Sequence, residues 1–97
     1  MYGLIGSFIA TPGSRDALRD ILLASTGDMP GCRSYVVYED TNDENTLWIS
    51  EVWEREEDHR ASLQLPEVRA AIAQAKPLIA GFGAHHVVRP VGGVGLS

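Results

Sequence analysis

The chain has 97 residues, and 13 acidic against 8 basic side chains leave a formal charge of −5. That length supports one domain, which buries roughly two-thirds of its unfolded surface. An acidic balance with no basic run argues against nucleic-acid and anionic-membrane partners, because both demand clustered Lys and Arg.

No apolar run is long enough to span a bilayer. The opening stretch Met1-Tyr2-Gly3-Leu4-Ile5-Gly6 lacks the basic and long apolar regions of a signal peptide. A lone cysteine, Cys32, excludes an internal disulfide framework and reads as a small half-buried hydrophobe. A cytoplasmic location is the expectation.

Residues 2–11 form a short apolar run closed by Thr11-Pro12-Gly13, which predicts a strand ending in a turn. Gly3 and Gly6 weaken such a strand unless something large packs on the backbone there. Ser14 is placed to cap a helix over residues 15–25. Leu18, Ile21, Leu22 and Ser25 fall on one stripe of it, with Arg15, Asp16, Arg19 and Asp20 outward. Gly27 to Gly31 turns the chain.

Residues 33–39 alternate, with Tyr35 and Val37 on one face and Ser34, Val36 and Tyr38 on the other. Residues 40–45 are turn formers. In the strand that follows, Leu47, Ile49, Glu51 and Trp53 share a face, and Trp48, Ser50 and Val52 share the opposite one. Large apolar groups on both faces predict that both are covered. One helical layer covers only one face, so a second copy of the sheet is expected on the other, giving a homodimer through the sheet face.

Residues 55–64 form a strongly charged helical segment. Pro66 suits the first turn of another helix, with Val68, Ala71, Ile72 and Ala75 as its buried stripe. Pro77 is expected to loosen its last turn, and Gly81 and Gly83 to end it. Residues 84–89 read as the last strand, with His85 and Val87 opposite His86 and Val88. The tail from Pro90 to Ser97 has no period and is expected to fray or to lie across a partner. The order strand, helix, strand, strand, broken helix, strand predicts a single α+β domain over residues 1–97, a ferredoxin-like antiparallel sheet with helices on one face.

A carboxylate and a large ring on one inner face, Glu51 and Trp53, suggest a lined pocket rather than a plain core. A buried carboxylate is costly unless paired or protonated. Glu51 reads as a base, as an orienter of His59, or as a structural carboxylate bonded to backbone or to Arg33. Trp53 reads as a wall that stacks on a flat substrate, or as core. His59 is the leading acid/base candidate; the bland alternative is an exposed helix histidine among Glu56, Glu57, Asp58 and Arg60. Tyr35 and Phe82 read as pocket aromatics or as filler. His85 and His86 are adjacent on a strand, point to opposite faces, and cannot chelate one metal together. No His, Cys, Asp and Glu set has metal-ligand spacing, so no metal is expected.

The chain resembles the antibiotic biosynthesis monooxygenase family, the small dimeric α+β-barrel proteins that include quinol and anthrone monooxygenases. The resemblance covers nearly the whole chain. It rests on Pro30-Gly31-Cys32-Arg33-Ser34-Tyr35, on Glu51-Val52-Trp53-Glu54, on His59, and on Pro66-Glu67-Val68 through Pro77-Leu78-Ile79. It implies a homodimer with sheets packed back to back, and in each subunit a pocket between the sheet and its own helices. It also implies a reaction without metal, flavin or haem, with molecular oxygen as co-substrate and an electron-rich aromatic as its own reductant.

In anthrone-oxidising members an asparagine precedes the tryptophan by four residues and a tyrosine follows it by six. Ile49 and His59 stand at those places. The first departure removes a hydrogen-bond donor; the second exchanges a phenol for an imidazole. An ordinary imidazole titrates near ~6.5 and a phenol near ~10, so full proton transfer is uphill by about 5 kcal/mol unless the pocket stabilises the phenolate. Haem-degrading relatives use an asparagine, a tryptophan and a histidine ligand at places filled here by Gly6 or Ser7, Ser62 and Ile72, so haem degradation is not expected. The resulting expectation is a cofactor-independent monooxygenase acting on quinols or related polyhydroxy aromatics. His59, Glu51 and Trp53 are its catalytic candidates, and Ile49, Tyr35 and Phe82 are expected to bind substrate. The alternatives are an isomerase or lyase on a small oxo-acid or lactone, and a dimeric ligand-binding protein without turnover.

Overall fold

Strand β1, Tyr2–Ala10, occupies an inner position of a four-stranded sheet of order β2-β3-β1-β4. The computed structural model describes residues 1–27 and 29–96. Asp28, in the turn expected after the first helix, and Ser97, at the end of the expected tail, lie outside them. The other elements are α1 (Arg15–Ala24), β2 (Cys32–Glu39), β3 (Thr46–Trp53), α2 (Glu56–Ser62), α3 (Pro66–Ala75), a 3-10 turn (Lys76–Leu78) and β4 (Ile79–Val88). Every strand pair is antiparallel. This is the ferredoxin-like α+β arrangement read from the sequence.

The alternation of β3 sets the two faces. Leu47, Ile49 and Trp53 are buried, and β1 places Phe8, Gly6, Leu4 and Tyr2 opposite Leu47, Ile49, Glu51 and Trp53. Ala10, Leu18, Leu47 and Ala75 form the fully enclosed cluster at one end of that face. Burying a leucine such as Leu18, at 0% exposure, contributes about 2–3 kcal/mol. At the other end the helices stand away from the sheet and leave a cavity. Leu18, Ile21 and Leu22 of the expected α1 stripe do face the protein interior.

Several expectations need correction. Ser14 occupies the N-cap position of α1 without a side-chain capping bond. Its hydroxyl instead accepts from Thr11 Oγ1 at 2.8 Å. Ile72 is 41% exposed, so the α3 stripe is not buried along its length; it borders the cavity. Pro66 does start α3 and Pro77 does turn its end into 3-10 geometry.

The largest correction concerns Gly81 and Gly83. They do not end a helix; they lie inside β4, which starts at Ile79. The pairing of β4 with β1 shifts register between Gly6 and Phe8 and again between Ile9 and Ala10. At the first shift the Ser7 hydroxyl accepts the Ala84 amide at 2.9 Å and fills the space that a side chain at Gly83 would need. The irregularity is therefore a bulge held by a side-chain bond.

Another glycine is conformationally required. Gly31 has φ +82°, and a Cβ on it would meet the Asp58 carboxylate at 2.5 Å. This close approach docks the first turn of α2 against the start of β2.

Candidate functional site

The cavity lies between the sheet and α1, α2 and α3, with a volume of about 400 Å³. That is enough for a small aromatic molecule. Its walls are mostly aliphatic and aromatic side chains: Leu4, Phe8 and Ile49 from the sheet, Leu22 from α1, Val68 and Ile72 from α3.

The polar corner is built by β3 and α2. Period-two alternation puts Glu51 and Trp53 side by side on the cavity face. The Trp53 indole N–H donates to Glu51 Oε1 at 3.1 Å. The following helix brings His59 Nε2 to 3.9 Å from the same oxygen. Both side chains are largely enclosed, at 18% exposure for Glu51 and 20% for His59. The His59 ring meets Trp53 edge to face at a centroid distance of 5.5 Å and packs by Tyr2 at 5.8 Å. His59 is thus not one more exposed member of the charged face of α2. Ser62, one turn on, is buried and donates its hydroxyl to the His59 carbonyl at 2.6 Å.

Burial pushes the Glu51 carboxyl above the usual range, while the Trp53 N–H and the charges of His59 and His85 pull it partly back. Burial likewise drives the Tyr35 phenol well above its ordinary value, with the Glu51 charge adding to it. Tyr35 is directly opposite Glu51 in the β2–β3 ladder. Its hydroxyl therefore stays protonated and available as a donor. Cys32 moves up for the same reasons.

The structure gathers all six sequence candidates around one cavity: His59, Glu51, Trp53, Ile49, Tyr35 and Phe82 all line it. Phe82 is 71% exposed and meets Phe8 edge-on at 5.4 Å, which places it at the rim. Arg33 does not pair with Glu51; it bridges Glu54 at 2.9 Å and donates to the Leu96 carbonyl at 3.1 Å. Neither Glu54 nor Leu96 lines the cavity, and Glu51 has Trp53 and His59 as its partners. The tail bond to Arg33 also ties residue 96 to the start of β2. His85 lines the cavity as well, a role that adjacency to His86 left undecided in the sequence. Among the described residues no three His, Cys, Asp or Glu side chains are grouped to hold a metal ion. No helix among them is long and apolar enough to cross a membrane.

Comparison with known proteins agrees with this fold. The family model described as antibiotic biosynthesis monooxygenase matches residues 1–74. A Chloroflexus aurantiacus protein, described as a candidate antibiotic biosynthesis monooxygenase, is 54% identical and superposes with a TM-score of 0.96, covering 99% of this chain and 98% of that one. A Mycobacterium tuberculosis protein is 27% identical with a TM-score of 0.80, over 96% and 97% of the two chains. A Deinococcus radiodurans structure at 24% identity and TM-score 0.79, over 97% and 96%, shares the fold. No curated protein matches the chain.

Proposed function

Because this chain belongs to the antibiotic biosynthesis monooxygenase family, we propose that it is a cofactor-independent monooxygenase that oxidises quinols or related polyhydroxy aromatics with molecular oxygen. The observation that carries this reading is an apolar cavity with one enclosed acid/base pair, Glu51 and His59, beside an indole.

In this reading a flat substrate lies against Trp53 and the aliphatic walls, which exclude water. His59 accepts the phenolic proton. Glu51 sets the orientation of the imidazole and favours its charged form. The protonated Tyr35 hydroxyl donates to the developing anion, which offsets the donor missing at Ile49. The electron-rich anion passes an electron to oxygen, and the two radicals combine at a ring carbon. The peroxide anion takes back the proton held by His59, and the hydroperoxide then loses its outer oxygen with the carbon-bound hydrogen as water. One oxygen atom ends as the new carbonyl, and all electrons come from the substrate.

Two further parts belong to the same reading. The open sheet face carries exposed Ile5, Ile9, Val36, Tyr38 and Val88, which a second copy of the chain would cover to form a homodimer. A reducing, cytoplasmic setting fits the single unpaired Cys32.

The test is an oxygen-electrode screen of purified protein with chelator present, against hydroquinones, naphthols and anthrones. Oxygen uptake with quinone formation is expected. Uptake that chelation abolishes would overturn the cofactor-free mechanism. Isomerised oxo-acid or lactone without oxygen uptake would move the same Glu51–His59 pair to the isomerase reading.

A further inference from the structure

Helix α3 lines the cavity along one ridge. Val68, Ile72 and Lys76 follow one another at intervals of four residues, and all three border the cavity. That spacing stacks side chains on one face, each lying over the turn before its own. The ridge thus extends an apolar wall with an ammonium at its C-terminal end. Lys76 is exposed, as is Ile72 before it, and it is the only lysine in the chain.

Lys76 is not engaged by the protein's own acids. Among the described residues every ion pair belongs to an arginine or to His59, and none to Lys76. A helix C-terminus favours a cation, but it does not require one on the cavity ridge. The chain carries −5 overall, yet Glu51 is the only acidic side chain among the described residues that borders the cavity.

Glu51 and Lys76 stand toward opposite ends. Glu51 is opposite Leu4 of β1. The 3-10 turn that begins with Lys76 leads into Ile79, which is opposite Ala10. Leu4 and Ala10 are separated by roughly 20 Å of strand. Between them lie the Phe8 and Phe82 rings and the aliphatic side chains of Ile49 and Ile72. The cavity therefore has an acid/base pair at one end, a cation at the other and an apolar span between.

We propose that Lys76 binds a carboxylate of the substrate, so that the cavity selects phenols whose anionic group lies across the ring system from the reacting hydroxyl. This deepens the phenol-oxidising reading of the cavity and rests on it. The hydroxyl meets His59, the rings lie along the apolar span, and the carboxylate meets the ammonium at the mouth. A carboxylate beside the hydroxyl would fall at the Glu51 corner, out of reach of Lys76. Lys76 sets specificity and takes no part in the proton transfer.

The experiment measures equilibrium binding to the full chain by anaerobic calorimetry. The probes are 6-hydroxy-2-naphthoate, 2-naphthol and 3-hydroxy-2-naphthoate, whose carboxylate adjoins the hydroxyl. Wild type should bind 6-hydroxy-2-naphthoate about fivefold more tightly than 2-naphthol, and added salt should shrink the difference. Lys76→Met keeps the apolar stem and should abolish the preference, whereas Lys76→Arg should keep it. Arg69→Met removes an α3 cation that does not border the cavity, and should leave the preference intact. The affinity for 3-hydroxy-2-naphthoate should be the same in wild type and Lys76→Met. Ratios taken within one variant are unaffected by any loss of folded protein. Equal affinities for 6-hydroxy-2-naphthoate and 2-naphthol in wild type would overturn the site. So would a preference that survives in Lys76→Met, one that Arg69→Met also removes, or no binding of either probe. Oxygen uptake is read separately. A Lys76-dependent preference without uptake on any probe keeps the anion site and rejects the monooxygenase reading. Uptake on 2-naphthol with no anion preference rejects the site and keeps that reading.

Discussion

His59 Nε2 stands 3.9 Å from Glu51 Oε1. The two residues come from different layers, one from helix α2 and the other from an inner strand of the sheet. Their proximity makes one acid/base unit out of two side chains that are otherwise surrounded by apolar walls.

If that unit performs proton abstraction, His59→Ala should lower turnover on a quinol by about 10²- to 10⁴-fold. Ligand binding and the far-UV circular dichroism spectrum should persist. Equal kcat in the variant and the wild type would remove His59 from the chemistry.

Glu51 predicts a pH dependence of stability. Its carboxyl is raised by burial, so the folded chain holds the proton at a pH where the unfolded chain has lost it. Stability is therefore highest below the ordinary carboxylate range. It declines as pH rises through the raised folded value, and stays at the lower level above it. Glu51→Gln should flatten that decline. Urea unfolding of both proteins at a series of pH values measures it, and a difference that does not vary with pH would contradict the assignment.

Trp53 is 1% exposed and donates to Glu51. Trp53→Ala should cost about 3–5 kcal/mol in unfolding free energy. Trp53→Phe keeps most of the volume and removes the N–H donor. It should cost less in stability and still reduce kcat, because Glu51 loses the bond that orients it. Equal kcat in Trp53→Phe and wild type would make the indole a wall only.

On the open sheet face, Val36→Asp should convert a dimer to a monomer, read by sedimentation equilibrium, with secondary structure retained. Val36 is 40% exposed in the single chain, so the substitution costs the isolated fold little. A wild-type monomer at micromolar concentration would refute the sheet-to-sheet interface.

Gly31→Ala should destabilise by about 1–3 kcal/mol, since φ is +82° and the new methyl meets Asp58. Pairing it with Asp58→Gly, which removes the carboxylate and the Cβ 2.7 Å away, should recover the contact with that side chain but not the backbone part. Strictly additive losses in the double variant would show that the contact is not the cause.

Much of this was readable in the chain because strict alternation survives in β3 and, from Ser34 on, in β2. The faces of Tyr35, Ile49, Glu51 and Trp53 followed from spacing alone. The partner of Glu51 did not. Arg33 was the arginine expected beside it, but it reaches Glu54, and the approach of His59 depends on how α2 docks on Gly31. The start of β4 was missed because two register shifts break the alternation between residues 79 and 85. Glycines in that stretch read as punctuation, whereas Gly83 is there to admit the Ser7 hydroxyl. The side on which His85 falls was left open for the same reason.

Those shifts have a consequence for parity. Ile79, Phe82 and His85 recur every third residue, a spacing that in a regular strand would send neighbours in the series to opposite faces. Here each is opposite an even-numbered residue of β1 on the helix-covered face: Ala10, Phe8 and Gly6. Two uncounted residues let the edge strand present three consecutive side chains of such a series to one side. Regular one-to-one pairing beyond Phe82, with no residue left uncounted, would restore even counting and reverse the residues beyond it. The cavity would then receive His86 in place of His85, changing the mouth without altering any side chain.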